Sequence, residues 1–117
     1  MDGAFDPGST SWVVTSIDEE PLLVDDPPTI GFDDEGHVSG GAGVNRFMGT
    51  WSLAGNVLVV GPLATTRMAG PPERMDLERR FLDVLAARCT VTRTDGGLLL
   101  TSDGGSLRLA PASAEGR

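Results

Sequence analysis

The sequence predicts a mostly β fold with one helix (α+β). A curled antiparallel sheet or half-open barrel of about eight short strands packs against one amphipathic helix at about 72–88. Three observations predict this class. Sixteen of the 117 residues are glycine, which suits many tight turns because glycine reaches positive φ without steric cost. Short runs of alternating apolar and polar residues recur between Asp-Gly and similar turn signals. A single stretch has clear helical periodicity.

The strands follow from the alternating runs in chain order. The first is "TSWVVTSI" at 10–17, and an acidic, proline-broken loop at 18–28 separates it from the next strand. The last three strands form a meander joined by two "DGG" turns. After the first, the predicted strands are 29–33, 37–43, 45–53, 57–63, 89–94, 98–102 and 106–110.

The helix begins at the prolines of "GPP", because proline is tolerated in the first turn of a helix. Apolar side chains and one glutamate recur at helical spacing on one face. They are Met75, Leu77, Glu78, Phe81, Leu82, Leu85 and Cys89. The whole chain predicts one domain at 10–110, a flexible arm at 1–9 and a flexible tail at 111–117.

The charge is unevenly distributed along the chain. Residues 1–45 contain ten carboxylates and no basic residue, and all nine basic residues are arginines from Arg46 onward. The net charge of −8 repels phosphate backbones, so nucleic-acid binding is not expected.

The sequence shows no targeting segment and no membrane-spanning segment that we recognise. The N-terminus lacks the features of a signal peptide, and no stretch approaches a membrane span. We therefore expect a soluble monomer, either cytoplasmic or, if a leader has been trimmed, in the envelope or outside the cell. Cys89 is the single cysteine, so no internal disulfide can form, and its place on the apolar helix face predicts a core residue.

Tests for chemistry give no convergent set of residues. "GAGVNR" places Arg46 where a dinucleotide-binding loop needs its third glycine, and no helix follows. His37 is the only histidine and no nucleophile-elbow sequence surrounds a serine, while zinc would need more nitrogen or sulfur ligands. The acidic runs could meet at a hard cation, but none has the spacing of a calcium loop. We expect no enzyme activity, no cofactor and no metal site.

Glu78 lies on or beside the apolar helix face, where a bare carboxylate is costly. We predict that Arg67 first, Arg46 second, or backbone N–H groups satisfy it. The side chain would then tether the helix to the sheet.

Several segments together resemble the META domain (HslJ-like) family. They are "PPTIGFDDEGHVSGGAGVNRFMGTW", "LVVGPLATTRMAGPPERMDLERRFLDVL" and "GGLLLTSDGGSLRL", preceded by Trp12. The resemblance runs from about residue 11 to 110. Within these motifs the candidate site residues, mainly structural, are Gly43, Asn45, Arg46, Phe47, Gly49, Trp51, Thr66, Arg67, Met68 and Glu78.

The chain departs from the family pattern at two positions. Val44 and Gly70 stand where the family often has cysteines. If those cysteines pair in relatives, both partners are absent here, which would fit a reducing compartment.

The resemblance implies a β module with a stress-related or cell-envelope role and no established enzymatic activity. We expect a non-catalytic module that binds a protein or peptide partner, because a curled meander exposes strand edges. The alternative is a carrier of a small apolar ligand, such as a lipid or drug-like molecule, held in a half-open barrel.

Overall fold

The computed structural model describes residues 8–112, in which ten strands and one helix follow one another. The elements are β1 (Thr10–Ile17), β2 (Glu20–Pro21), β3 (Thr29–Phe32), β4 (His37–Gly41), β5 (Arg46–Ala54), β6 (Val57–Val60), β7 (Ala64–Thr65), α1 (Pro72–Leu85), β8 (Cys89–Arg93), β9 (Leu98–Ser102) and β10 (Gly105–Pro111). Most of the predicted arm and tail lies outside the described residues. Pro111, assigned to the tail, instead ends β10 opposite Trp12.

The predicted mostly β fold is confirmed, and the sheet closes completely into a barrel of eight antiparallel strands. Closure occurs because β1 pairs with β3 on one side and with β10 on the other. The ring runs β1, β3, β4, β5, β6, β8, β9 and β10, while β2 adds to β1 and β7 adds to β5. A barrel has no free edge in its closed wall. Among residues 8–112, closure therefore removes most of the strand edges predicted for partner binding.

Side chains along β5 alternate between the inside and the outside of the barrel, as the period of a strand requires. Phe47 is buried inside, whereas Arg46 and Met48 are exposed outside. Phe47 lies opposite Gly40 on β4. A Cβ at Gly40 would overlap the carbonyl of Thr29, so this crowded part of the wall requires glycine.

The helix crosses one end of the barrel. It reaches the β4–β5 turn, where Gly43 lies against Glu78, and the β9–β10 turn, where Gly104 lies against the backbone of Asp83. It begins at the predicted proline and ends at Leu85, three residues before the predicted end. Within residues 8–112, no helix is long and apolar enough to cross a bilayer.

The barrel interior and the inner helix face form one core. Inside the barrel, valine, isoleucine and leucine side chains of the strands pack against one another and against the buried face of the helix. The buried helix residues are Leu77, Glu78, Phe81, Val84 and Leu85. This face is rotated from the predicted one, because Val84 is fully buried whereas Met75 and Leu82 are only partly buried at its margins.

Candidate functional site

The motif residues build a buried polar cluster at the helix-covered end of the barrel. Asn45 lies in the β4–β5 turn and Glu78 in the middle of α1. The Oε1 atom of Glu78 accepts hydrogen bonds from the backbone N–H of Val44 at 2.9 Å and of Asn45 at 2.6 Å. Its Oε2 atom accepts one from Asn45 Nδ2 at 2.9 Å. Three donors therefore surround a side chain that is only 8% exposed.

The other contacts of Asn45 reach the segment between β7 and α1. Its Nδ2 also donates to the carbonyl of Met68 at 3.1 Å. Its Oδ1 accepts from the Met68 backbone N–H at 2.6 Å and from Thr66 Oγ1 at 2.8 Å. Thr66 Oγ1 in turn accepts from the Arg46 backbone N–H at 3.1 Å. One amide side chain thus joins the β4–β5 turn, the 66–68 segment and the helix.

The predicted tether is confirmed through its backbone alternative, and the predicted arginine partners are wrong. Among residues 8–112, neither Arg67 nor Arg46 makes a side-chain hydrogen bond or an ion pair, and both are exposed. Burial alone would raise the pKa of Glu78. The hydrogen bonds from Asn45 and Val44 outweigh it, so the pKa lies below its ordinary value. The carboxylate is held in its charged form by neutral donors.

Gly43 lets the helix approach the turn closely. Its φ of 131° lies in a region that side chains rarely adopt. A Cβ there would stand 3.3 Å from both the Arg74 carbonyl and Glu78 Cβ. On the other side, Arg74 Nη2 donates to the Gly43 carbonyl at 3.0 Å. The glycine therefore serves the tether directly.

The remaining motif residues pack the wall of the barrel. Phe47 contacts Phe81 of the helix with ring centroids 5.5 Å apart. Trp51 packs edge-on against Phe32 at 5.6 Å, and its Nε1 donates to the Asp33 carbonyl at 3.3 Å. A Cβ on Gly49 would lie 2.7 Å from the Leu63 side chain, where the chain crosses from β6 to β7.

Val44 and Gly70, the positions at which the resemblance places cysteines, are in contact. A Cβ built on Gly70 would lie 3.5 Å from the Val44 Cβ and 2.8 Å from one of its methyl carbons. The valine side chain thus fills the space that the glycine leaves. Here packing joins the β4–β5 turn to the segment before the helix.

The chemistry available to this cluster is limited by its own hydrogen bonds. Both carboxylate oxygens of Glu78 already accept from the protein, and the donors and acceptors of Asn45 are used in the same way. A group that is buried and saturated suits holding segments together.

The segments that form this cluster lie within the region that matches a known family. The META domain family profile matches residues 6–114, which include the tether, the barrel and the helix. The chain belongs to the META domain family. A comparison with curated proteins finds no match.

Solved structures resemble this META domain over nearly its full length. A protein determined by NMR is 27% identical, with a TM-score of 0.76 over 92% of this chain and 93% of that one. A protein from Burkholderia xenovorans, also determined by NMR, is 27% identical, with a TM-score of 0.71 over 97% and 92%. A DUF4847 family protein from Bacteroides vulgatus ATCC 8482 shares the fold at 17% identity and a TM-score of 0.63, over 89% and 93%.

A second candidate site of the META domain lies on the outside of the barrel, where β4, β5 and β7 run side by side. A groove of about 360 Å³ has Met48 in its lining, and the surface of this residue is 62% exposed. We call it the Met48 groove, and it is lined by Ser39, Arg46, Phe47, Met48, Ala64, Thr65 and Thr66. Sequence reasoning missed Met48, although the alternation of β5 places this apolar side chain outward.

The groove continues along the outer face toward the β3–β4 turn. A neighbouring depression of about 510 Å³ shares Ser39, Met48 and Ala64 with it and ends at Asp33 and His37. The Asp33 carboxylate accepts from the backbone N–H groups of His37 at 2.8 Å and of Glu35 at 2.9 Å. These bonds, chiefly the one from His37, lower its pKa. Asp33 is therefore a fixed negative charge at this end.

Ligand atoms of Asp33, Glu35 and His37 lie within 4.8 Å of one another, and all three residues are exposed. The hydrogen bonds of the hairpin turn explain their proximity, with His37 Nδ1 at 3.2 Å from the Asp33 carboxylate. We assign no metal to this cluster.

The inside of the barrel offers little room for a ligand. Its large side chains are almost completely buried by one another and by the helix, and they form one contiguous cluster. Cys89, predicted as a core residue, is fully buried within it, and burial raises its thiol pKa to about 11. A thiol with such a pKa is a poor nucleophile near neutral pH.

Proposed function

We propose that this chain is a non-catalytic META module that binds a protein or peptide partner through the Met48 groove. The observation that carries the proposal is the position of Met48, an apolar side chain that is 62% exposed and lines a groove on the outer wall of the barrel. An unbranched thioether adapts to differently shaped partners, which suits a binding surface.

The backbone beside the groove supports the same proposal. The two-residue strand β7 pairs with β5 on one side. The next strand of the barrel, β8, pairs with β6 at Val57 and Leu58 and not with β7. The far edge of β7 is therefore open to solvent at Thr65, which is exposed. A partner lying over Met48 can also reach this short edge.

The alternative of an apolar-ligand carrier is less well supported, because the barrel interior is occupied by the core. The absence of catalysis remains a proposal, supported by the saturated carboxylate of Glu78 and the buried thiol of Cys89. The stress-related or cell-envelope role is proposed from the family resemblance alone.

A peptide selection tests the binding proposal. A library of random peptides displayed on phage is selected on the intact protein and then counter-selected on the Met48→Asp variant. We expect enriched peptides that bind the wild type and lose about tenfold or more in affinity for the variant, because burying a charge in the groove is unfavourable.

Thr101→Asp is the matched control, since it adds the same charge at an exposed position of β9 on another part of the barrel wall. We expect it to bind the selected peptides like the wild type. The proposal fails if no peptide is enriched, or if Met48→Asp and Thr101→Asp bind the enriched peptides equally well.

A further inference from the structure

We infer that the partner of the Met48 groove is an extended acidic segment, in which one carboxylate side chain lies two residues from an apolar side chain. The inference rests on the proposed function and specifies the chemistry of its partner. It is carried by one unpaired cation, by a spacing along β5 and by a fixed charge at the far end of the outer face.

Arg46 is an unpaired cation at the edge of the groove. Within residues 8–112, Arg74, Arg79, Arg80 and Arg108 all lie next to carboxylates, whereas Arg46, Arg67 and Arg88 have neither an ion pair nor a side-chain hydrogen bond. Of these three arginines, only Arg46 lines the Met48 groove. Its guanidinium is available for a carboxylate from outside, with which it can form two parallel hydrogen bonds.

The apolar contact lies two residues along the same strand. Arg46 and Met48 both point outward from β5, so their Cα atoms are about 6.5–7 Å apart on one face. An extended ligand repeats its side chains at the same spacing. An acidic residue over Arg46 therefore brings the residue two positions away over Met48, which suits leucine, methionine or phenylalanine.

The charge at the opposite end favours one direction. Asp33 lies at the far end of the outer face, exposed and held in its charged form by the bonds from His37 and Glu35. It repels a carboxylate there and leaves the Arg46 end as the favourable place for one. The surface therefore distinguishes a ligand with its acid at one end from the same ligand reversed.

The rest of the molecule disfavours a polyanion. The net charge is −8, and among residues 8–112 Arg46 is the only basic residue that lines the Met48 groove. A nucleic acid presents many phosphates and would meet mostly negative charge on the domain. One or two carboxylates on a peptide suit a single arginine better.

A charge-reversal experiment tests the inference. The probes are two fluorescein-labelled eight-residue peptides that differ at one position: one has a glutamate two residues from a leucine, the other a lysine there. Fluorescence anisotropy gives their Kd values for the intact protein at about 0.15 M salt, where the long-range field of the net charge of −8 is largely screened. We expect the glutamate peptide to bind about fivefold more tightly. In Arg46→Glu the preference should reverse.

Arg88→Glu is the matched control, because Arg88 is also exposed and unpaired but lies outside the groove. It should keep the wild-type preference. Equal binding of both peptides to the wild type overturns the inference, as does a preference that persists in Arg46→Glu.

The peptides selected on the groove separate this inference from the proposed function. If they depend on Met48 but lack acidic residues, the acidic partner is wrong and the binding module stands. If none depends on Met48, both fail. If sedimentation shows self-association of the wild type that Arg46→Glu abolishes, the occupant of the groove is a second copy of this chain. If anionic vesicles bind the wild type but not Arg46→Glu, and the peptides bind neither protein, the occupant is a lipid surface. Either result overturns the acidic segment.

Discussion

The Asn45 amide donates to the Glu78 carboxylate across 2.9 Å and joins the β4–β5 turn to the middle of the helix. A buried carboxylate is commonly expected to pair with a cation, but here its partners are an amide and two backbone N–H groups. The two arginines nearest in the sequence motifs remain at the surface, where Arg46 is free for another role. The tether between Asn45 and Glu78 therefore joins the turn to the helix without using the side chain of either arginine.

The first prediction concerns the charge of this tether. Glu78→Gln replaces a carboxylate, which only accepts hydrogen bonds, by an amide. The new NH2 group of the glutamine then faces the Nδ2 of Asn45 or a backbone N–H, so that two donors meet without an acceptor. We expect a loss of about 1–3 kcal/mol in the free energy of unfolding, measured by urea denaturation. Glu73→Gln in the exposed first turn of the helix is the control and should change stability by less than about 0.5 kcal/mol. Equal effects of the two substitutions would show that the hydrogen bonds of Glu78 do not stabilise the fold.

The tether should also respond to pH. The pKa of Glu78 in the folded protein lies below its ordinary value of 4.5, because hydrogen bonds to the charged form outweigh burial. The stabilisation is therefore complete above 4.5 and is lost as the pH falls through the lower folded pKa. The stability difference between wild type and Glu78→Gln should shrink in that acidic range. Denaturation curves at a series of pH values measure it, and a constant difference would contradict the assignment.

A third prediction uses the contact between Val44 and Gly70. A Cβ built on Gly70 would lie 3.5 Å from the Val44 Cβ, at the lower limit of the range for a disulfide. The double variant Val44→Cys, Gly70→Cys should oxidise readily and gain about 3–4 kcal/mol in unfolding free energy from closing this loop. Mass spectrometry detects the bond, and denaturation with and without reductant measures its effect. Failure to oxidise in the folded protein would show that the two segments are not in contact.

Two adjacent glycines give the fourth prediction. A Cβ at Gly97 would overlap the carbonyl of Leu109 on β10, whereas a Cβ at Gly96 meets nothing within 4 Å. Gly97→Ala should therefore cost at least about 2 kcal/mol, since backbone must move, and Gly96→Ala should be close to neutral. Thermal denaturation compares the two. A Gly97→Ala protein as stable as Gly96→Ala would contradict the pairing of β9 with β10 at this turn.

Most of the fold could be predicted from the sequence, because short alternating runs and turn residues determine most of its strands. The bounds of β1 and β9 agree with their alternating runs, and the helix begins at its predicted proline. Closure of the barrel was not predicted, since it depends on the pairing of Val14 with Leu109, which lie almost a whole chain apart. Sequence alternation says which face a side chain takes but not which distant strand is its neighbour.

The candidate sites were less predictable for the same reason. The position of Glu78 on the buried helix face indicated that it needs partners, and backbone donors were among those expected. Its link to Asn45 required the turn to lie beneath the helix, where Gly43 permits close approach. The Met48 groove depends on three strands and has no motif of its own. A single outward methionine in a strand is a weak signal until its neighbours are known.

We propose that the Glu78–Asn45 tether holds the fold while the outer wall at the Met48 groove binds a partner. An assigned ¹H–¹⁵N correlation spectrum of the wild type, titrated with one of the selected peptides, tests it most directly. We predict that the amide signals of Ser39, Arg46, Met48 and Thr65 shift, while those of Glu78 and its helical neighbours stay in place. Shifts confined to the helix and the Asn45 turn, with the groove unchanged, would contradict the account.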